Sequence, residues 1–391
     1  MPPTLQRTCV ALVSLVIASS CSGNRKPIAP STAPSTSQSA APSKPPSAKE
    51  EPPESEQASE TAQAVAEEHK AQVPLVVRGR EMMGTIMQIT VVSEETPAVE
   101  KAIEGAFDEM ARLERVLSEW MPESEISRIN SQAGIKPVQV SDDTLAVVKA
   151  GLEVSQWSEG AFDLSWAALR GLYLFQPGEE TVPTRAQLEK RLPLVNYKNI
   201  VLDEAKKTVF LKKKGMLIGT GGIGKGYALD RAGQTLQDAG FKQYMLFGGG
   251  QVQVLGNKGD RPWHVGIQHP RKNDYFAYLA VDGGSISTSG DYEHAFIRDG
   301  KRWHHLLDLG TGLPVEHTMS VTVLAESGLY ADALSTAIFA MGAERAMTKL
   351  DSVPAGARFV LVDNEERVHI GGDLREQLIF SVRLSPENKL P

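Results

Sequence analysis

The stretch Tyr244-Met-Leu-Phe-Gly-Gly-Gly-Gln-Val-Gln-Val-Leu255 decides the fold class. It reads as two short strands, Tyr244–Phe247 and Gln251–Leu255, joined by three glycines with no helix between them. Further strands read at Thr208–Leu211, His264–Ile267 and Tyr278–Val281. A doubly wound sheet needs strict β-α-β alternation, which this run lacks. The sequence therefore predicts an α+β domain of mixed or antiparallel sheets with packed helices. A strand that ends in glycines either brings backbone close to a ligand or forms a bulge or tight bend.

Working outward, Val76–Val92 reads as strand, turn at Met83-Gly84-Thr85, and strand again. Thr96-Pro97 carries a helix start, Thr as N-cap and Pro in the first turn. Val99, Ile103, Phe107, Met110, Leu113 and Leu117 then recur at helical spacing. A second helix reads over Asp143–Ser158. Downstream, Ser320–Ala325 reads as a strand and Leu329–Met341 as a helix.

The chain has 391 residues, with 41 Lys and Arg against 48 Asp and Glu. The net charge of −7 argues against a nucleic-acid partner, since phosphate-backbone affinity comes from clustered basic residues. The two cysteines are Cys9 and Cys21, so the folded region has no thiol nucleophile, disulfide framework or zinc ribbon. Arg7 and the apolar run Cys9–Ile17 fit a signal peptide and are too short to span a bilayer. Ala18-Ser19-Ser20 before Cys21 fits a lipoprotein cleavage site, with Cys21 lipidated, although Leu is more usual where Ala18 stands. Ordinary cleavage near Ser20 is the alternative. Residues 22–72 hold eight prolines and neither Leu nor an aromatic residue, a disordered Pro-rich tether by composition. Residues 73–391 form the domain.

Four segments carry chemistry-bearing side chains. Gly219-Thr-Gly-Gly-Ile-Gly-Lys-Gly226 precedes a helix, so its backbone N–H groups and Lys225 suit a phosphate, or the glycines serve a turn packed on a sheet. Ser287-Thr-Ser-Gly-Asp-Tyr292 offers hydroxyls and a carboxylate in what reads as a hydroxyl-rich turn. His304 and His305 are adjacent on a strand and point to opposite faces, so only one can serve a given site as acid or base. Asp332 and Thr336 share a helix face and present hard oxygens suited to Mg²⁺; Asp332 otherwise serves the dipole of its own helix.

Taken together, these segments resemble the ApbE family of flavin transferases. Met83-Gly84-Thr85, the segment Ser118–Asn130, Gly160-Ala-Phe-Asp163, Gly222–Asp230, Gly249-Gly250, Thr288–Tyr292, His304-His305 with Thr311-Gly312, and Ala331–Thr336 follow in the family's order. The resemblance implies an FAD-binding cleft between two subregions. It places Met83, Trp120, Asn130, Asp163, Lys225, Gly249, Gly250, Thr288 and Ser289 at the cofactor. It also implies Mg²⁺ on Asp332, Thr336 and the carbonyl of Gly222. The implied reaction moves the FMN half of FAD onto a Thr or Ser hydroxyl of an exported acceptor flavoprotein and releases AMP. Some family members instead hydrolyse FAD to FMN and AMP. The acceptor hydroxyl needs a base, for which His305 is the first candidate and Asp291 the second.

The sequence departs from the family at three places. Gln251 stands where an acidic residue is usual, Asp308-Leu309 replaces Asp-Pro, and Trp120 replaces a stacking Tyr, an exchange that retains a π-face. The Gln251 change is expected to alter contacts to ribose or cofactor. Two alternatives compete with transfer. One is an FAD pyrophosphatase or flavin scavenger. The other is an unrelated nucleotide-binding oxidoreductase, which needs an acidic ribose ligand that residues 240–250 do not supply.

Overall fold

A computed structural model describes residues 73–374 and 376–391. The signal-peptide, Cys21 and tether readings lie outside the described residues. Strands β1 (Leu75–Met82) and β2 (Thr85–Val92) form a hairpin around the turn at Met83-Gly84. Helix α1 (Pro97–Leu117) begins where Thr96 Oγ1 accepts the N–H of Val99 at 3.3 Å, as the Thr-Pro pair predicts. Its buried face is the predicted Val99, Ile103, Phe107, Met110, Leu113 and Leu117 stripe.

A short helix α2 (Glu125–Ser131), strand β3 (Val138–Gln139), helix α3 (Asp142–Trp157), helix α4 (Arg185–Arg191) and strands β4 (Ile200–Asp203) and β5 (Thr208–Leu211) follow. Strands β3, β5 and β4 make a small sheet of their own. Helix α5 (Gly224–Asp238) leads to β6 (Tyr244–Gly248) and β7 (Gln251–Leu255). Then come β8 (Trp263–Gln268), β9 (Tyr275–Val281), β10 (Gly283–Gly290), the hairpin β11 (Ala295–Arg298) and β12 (Lys301–His304), and β13 (Thr318–Ala325). Helix α6 (Gly328–Thr348) and strands β14 (Arg358–Asp363), β15 (Val368–Gly371) and β16 (Leu378–Phe380) complete the chain. Gly342, at φ 76°, breaks the regular backbone of α6 one residue beyond the predicted end at Met341.

Eight strands form one sheet in the order β1-β2-β6-β7-β10-β13-β14-β15, and every neighbouring pair is antiparallel. Helices α1, α5 and α6 cover one face. The sheet β16-β9-β8 covers the other, where Val252, Val254, Ile286 and Leu324 meet Trp263, Phe276 and Leu279. The α+β expectation is thereby met. One reading changes: Ser287–Gly290 belongs to strand β10, not to a turn. Ser287 and Ser289 bond Ser335 of helix α6 and Thr288 bonds Thr322 on the next strand, so polarity does not push them to the surface.

Alternation in β7 and β10 is inverted on the helix side. Val252, Val254 and Ile286 fill the apolar core on one face. Gln251, Gln253, Ser287 and Ser289 turn the other way, to the carboxylates and hydroxyls of α5 and α6. The sheet thus brings a buried polar patch to the two helices that carry the glycine cluster and Asp332.

Candidate active site

The glycine segment is held at its N-terminal end by side chains from the 118–165 region. The Asn130 amide forms a reciprocal pair with the backbone of Ile218, accepting its N–H at 2.7 Å and donating to its carbonyl at 2.9 Å. Glu119 Oε2 accepts the N–H of Thr220 at 2.9 Å, and Thr220 Oγ1 donates to the Leu117 carbonyl at 2.7 Å. A Cβ on Gly219 would overlap the Glu119 carboxylate, so glycine is needed at that approach. Glu119 is buried, and desolvation raises its pKa against the pull of Arg170. These bonds bring Trp120 beside the loop. Trp120 is 73 % exposed, with the Arg170 guanidinium 4.7 Å from its ring centroid, which leaves indole surface free to stack on a planar ligand.

Two expected cofactor ligands take a different role. Asn130 is committed to Ile218 and positions the loop. Asp163 accepts from the N–H and hydroxyl of Ser165 at 2.8 and 2.6 Å and from the N–H of Tyr197 at 2.6 Å. Buried and multiply bonded, it organises the turn whose Leu164 carbonyl accepts the Gly219 N–H at 2.9 Å. Both residues brace the start of the glycine loop.

Helices α5 and α6 exchange carboxylates. Asp230 of α5 accepts the N–H groups of Gly328 and Leu329 at 2.7 and 2.9 Å and the Ser327 hydroxyl at 2.8 Å, so it closes the N-terminus of α6. Asp332 of α6 does the converse: its Oδ2 accepts the N–H of Gly226 at 3.0 Å in the first turn of α5. A carboxylate at each positive helix end is electrostatically favoured. The expectation that Asp332 serves its own helix dipole is corrected here. The crossing is close because a Cβ on Gly226 would overlap the Gly328 carbonyl. Strand β7 supplies a parallel pair of amides: Gln251 Nε2 donates to Asp332 Oδ1 and Gln253 Nε2 to Asp230 Oδ1, each at 3.0 Å. Gln251 is buried against Asp332, so its amide acts on that carboxylate rather than on an open ribose pocket.

Asp332, Thr336 and Gly222 converge. A Cβ on Gly222 would lie 3.4 Å from Thr336 Oγ1, so the Gly222 backbone runs directly beside that hydroxyl. Ser289 Oγ lies 2.8 Å from Ser335 Oγ and 3.4 Å from Thr336 Oγ1. Desolvation raises the Asp332 pKa, and Lys225 and the Gly226 N–H oppose it. A buried carboxylate with incomplete charge compensation beside a hydroxyl and main chain is a donor set of hard oxygens, and it fits a divalent cation such as Mg²⁺. Among the described residues no group of three or more His, Cys, Asp or Glu side chains is gathered as a metal site. The cation would therefore rest on mixed oxygen donors from Asp332, Thr336 and the Gly222 main chain.

Gly249 and Gly250 have φ of 54° and 82° and form the two-residue turn between β6 and β7, the geometry that hairpins favour and only glycine adopts freely. A Cβ on Gly249 would sit 3.2 Å from both Lys225 Cδ and Thr85 Cγ2. The turn therefore meets Lys225 and the β1–β2 hairpin, where Met83 adopts φ 52° and donates its N–H to Glu114 at 2.9 Å. Lys225 Nζ donates to the Gly221 carbonyl at 3.1 Å. The expectation for the Thr288 side chain is corrected. It turns to the opposite sheet face and bonds Thr322 Oγ1 at 2.9 Å, away from Asp332 and Thr336.

The expectation of two adjacent strand residues is corrected: His304 ends β12 and His305 lies just beyond it, yet the two side chains still part. His304 is buried with Nε2 on the Val315 carbonyl and Nδ1 taking the Leu306 N–H, so both nitrogens are committed. His305 is exposed, with Nδ1 3.0 Å from the Glu293 carbonyl. A carbonyl only accepts, so Nδ1 carries the hydrogen and Nε2 keeps its lone pair. Desolvation and the neighbouring His294 lower the His305 pKa, and the hydrogen bond to the Glu293 carbonyl opposes them. Asp291 is corrected as a base. Arg271 binds both its oxygens at 2.6 Å, and Arg302 lies 3.8 Å away, so it anchors the end of β10 in an ion pair.

Sequence reasoning missed Glu119 as the clamp on the loop, Asp230 as the cap of α6, and Gln253. The only local signal for Asp230 was its place at the end of the Gly222–Asp230 segment.

The fold and site together define an α+β protein in which a glycine-rich loop and Lys225 lie beside the buried carboxylate of Asp332 and the hydroxyl of Thr336, oxygens that would suit a cation. The chain belongs to the ApbE family, whose profile matches residues 83–360. A relative from Klebsiella pneumoniae named FAD:protein FMN transferase is 33% identical over 247 residues, covering 62% of this chain and 77% of that protein. One of the same name from Vibrio cholerae is 31% identical over 274 residues, covering 68% and 81%. Among solved structures, the ApbE protein of Thermotoga maritima superposes with a TM-score of 0.70 at 32% identity, covering 76% of this chain and 97% of that one. The flavin transferase ApbE of Vibrio cholerae gives 0.67 at 25% identity, covering 78% and 100%.

Proposed function

We propose that this chain is an enzyme, an FAD:protein FMN transferase that depends on Mg²⁺. It moves FMN from FAD to a Thr or Ser hydroxyl of an exported acceptor protein. The observation that carries the reading is the convergence of Asp332, Thr336 and Gly222 beside Lys225, on a loop whose other end holds an exposed Trp120. FAD has the matching parts: planar rings to stack on the indole and a diphosphate for the cation and Lys225. Mg²⁺, when bound, offsets charge that develops on the diphosphate oxygens.

The chain's own residues do the rest. Trp120 orients a ring, and the glycine main chain and Lys225 hold the diphosphate. His305 Nε2 accepts the proton of the acceptor hydroxyl. That oxygen bonds to the phosphorus on the FMN side. The bond from that phosphorus to the bridging oxygen breaks, and AMP leaves with the bridging oxygen. The product is a phosphodiester between FMN and the acceptor. Water in place of the hydroxyl would give free FMN and AMP from the same site.

The test is incubation of the enzyme with FAD, Mg²⁺ and an exported flavoprotein acceptor. Flavin fluorescence that stays with the acceptor on a denaturing gel, together with AMP, supports transfer. AMP with only free FMN overturns transfer in favour of hydrolysis. The further proposal for the N-terminus is export and anchorage through lipidated Cys21, supported by the small residues before it and the Pro-rich stretch after it.

A further inference from the structure

Gln251 closes the carboxylate side of the candidate cation site. Its place on β7 turns it to the helices, and its Nε2 donates to Asp332 Oδ1 at 3.0 Å while both groups are buried. The other oxygen, Oδ2, accepts from Gly226 N at 3.0 Å. Asp332 is therefore gripped by a strand amide on one oxygen and a helix amide on the other, both neutral. The remaining lone pairs of the carboxylate are what is left for a cation.

The surrounding charges are sparse. Asp230 is taken up by Ser327, Gly328, Leu329 and Gln253. Glu119 is bonded to Thr220, with Arg170 at 3.8 Å. Lys225 lies close enough to Asp332 to stabilise its charge. One carboxylate, one hydroxyl and main-chain oxygen, with a lysine nearby, make a weak divalent site. Mg²⁺ ordinarily completes such a shell with substrate phosphates.

We propose that Gln251 is a positioning residue that makes cation binding depend on the dinucleotide. Its neutral amide fixes Asp332 and keeps the protein's share of the cation shell at a single negative charge. The cation and the FAD diphosphate then bind as a pair. This rests on the reading of the cleft as an FAD site. Linkage makes the coupling reciprocal: FAD tightens the cation by the same factor as the cation tightens FAD, on the order of 5–150-fold.

The experiment titrates Mn²⁺ into the full chain with and without saturating FAD, reading free Mn²⁺ by electron paramagnetic resonance. FAD affinity is read separately by fluorescence quenching, with and without Mn²⁺. Thermal unfolding checks that each variant is folded. The wild type should show equal coupling in both directions. Gln251→Glu keeps the side-chain size and adds a carboxylate beside Asp332. It should bind Mn²⁺ without FAD at least about tenfold more tightly and show reduced coupling. Gln251→Met keeps the volume and removes the donor. It should weaken Mn²⁺ in the FAD-loaded protein by roughly 10–100-fold, the usual effect of losing the partner behind a metal ligand. Its metal-free FAD affinity should be unchanged.

Wild-type Mn²⁺ affinity that is indifferent to FAD overturns the inference. So does a Gln251→Glu protein with wild-type Mn²⁺ affinity, or a folded Gln251→Met protein that keeps wild-type affinity in the FAD-loaded state. Bound FAD with no coupling defeats this inference alone. Failure of the wild type to bind FAD defeats the functional reading as well.

Discussion

Replacing Asp332 separates its two roles, helix connector and cation ligand. Asp332→Ala leaves two buried donors without a partner, Gly226 N–H and Gln251 Nε2, each 3.0 Å from the lost oxygens. An unsatisfied buried donor costs about 1–3 kcal/mol, so the alanine variant is expected to lose about 2–6 kcal/mol of stability. Asp332→Asn behaves differently. Its amide oxygen can accept from Gly226 N–H, and Gln251 can rotate its own amide to present an oxygen to the new NH₂ group. Both hydrogen bonds survive while the charge is gone. The Asp332→Asn protein should therefore unfold close to the wild-type temperature and yet release AMP from FAD at least about a hundredfold more slowly. Loss of about 3 kcal/mol of transition-state charge stabilisation gives that factor. Thermal unfolding and AMP release measured on both variants make the comparison. Wild-type AMP release by Asp332→Asn would refute the role of the carboxylate in the chemistry and leave only the link between helices.

Trp120→Ala should weaken FAD binding by about 1–3 kcal/mol in a fluorescence titration with little change in unfolding temperature, because the ring is exposed, and Trp120→Tyr should lose much less. The lowered pKa of His305 keeps its imidazole neutral to a lower pH than usual. The acid limb of kcat/KM for transfer should then lie below pH of about 6.5, and His305→Gln should remove that limb and cost about 10²–10⁴ in rate while FAD still binds. Gly226→Ala places a methyl group into the Gly328 carbonyl, so it should destabilise the fold by about 1–3 kcal/mol in chemical denaturation. Cys21→Ala should move the protein from the membrane to the soluble fraction, and continued sedimentation with membranes would refute lipid anchorage at that residue.

Features set by neighbours along the chain are legible in the sequence alone. The two short strands and the glycines between them were legible, and of the readings left open the structure takes the tight turn between β6 and β7. Thr96-Pro97 marks the start of α1, and the four-residue spacing puts Asp332 and Thr336 on one helix face. That His304 and His305 would part was legible too, although only His304 lies within β12. These signals are local because φ/ψ preferences and side-chain direction are shared by residues a few positions apart. The partners of buried polar groups are not local. Asp332 meets Gly226 across 106 residues and Gln251 across 81, and Asn130 meets Ile218 across 88. Nothing in a linear pattern separates an asparagine that touches a ligand from one that satisfies a distant backbone amide. Tertiary structure decided that Asn130 and Asp163 brace the glycine loop and that Asp230 and Asp332 trade helix ends. It also set Thr288 on the far side of the sheet. The physical reason is the cost of burying a polar group unpaired: each such side chain takes whichever donor or acceptor the packed elements bring to it.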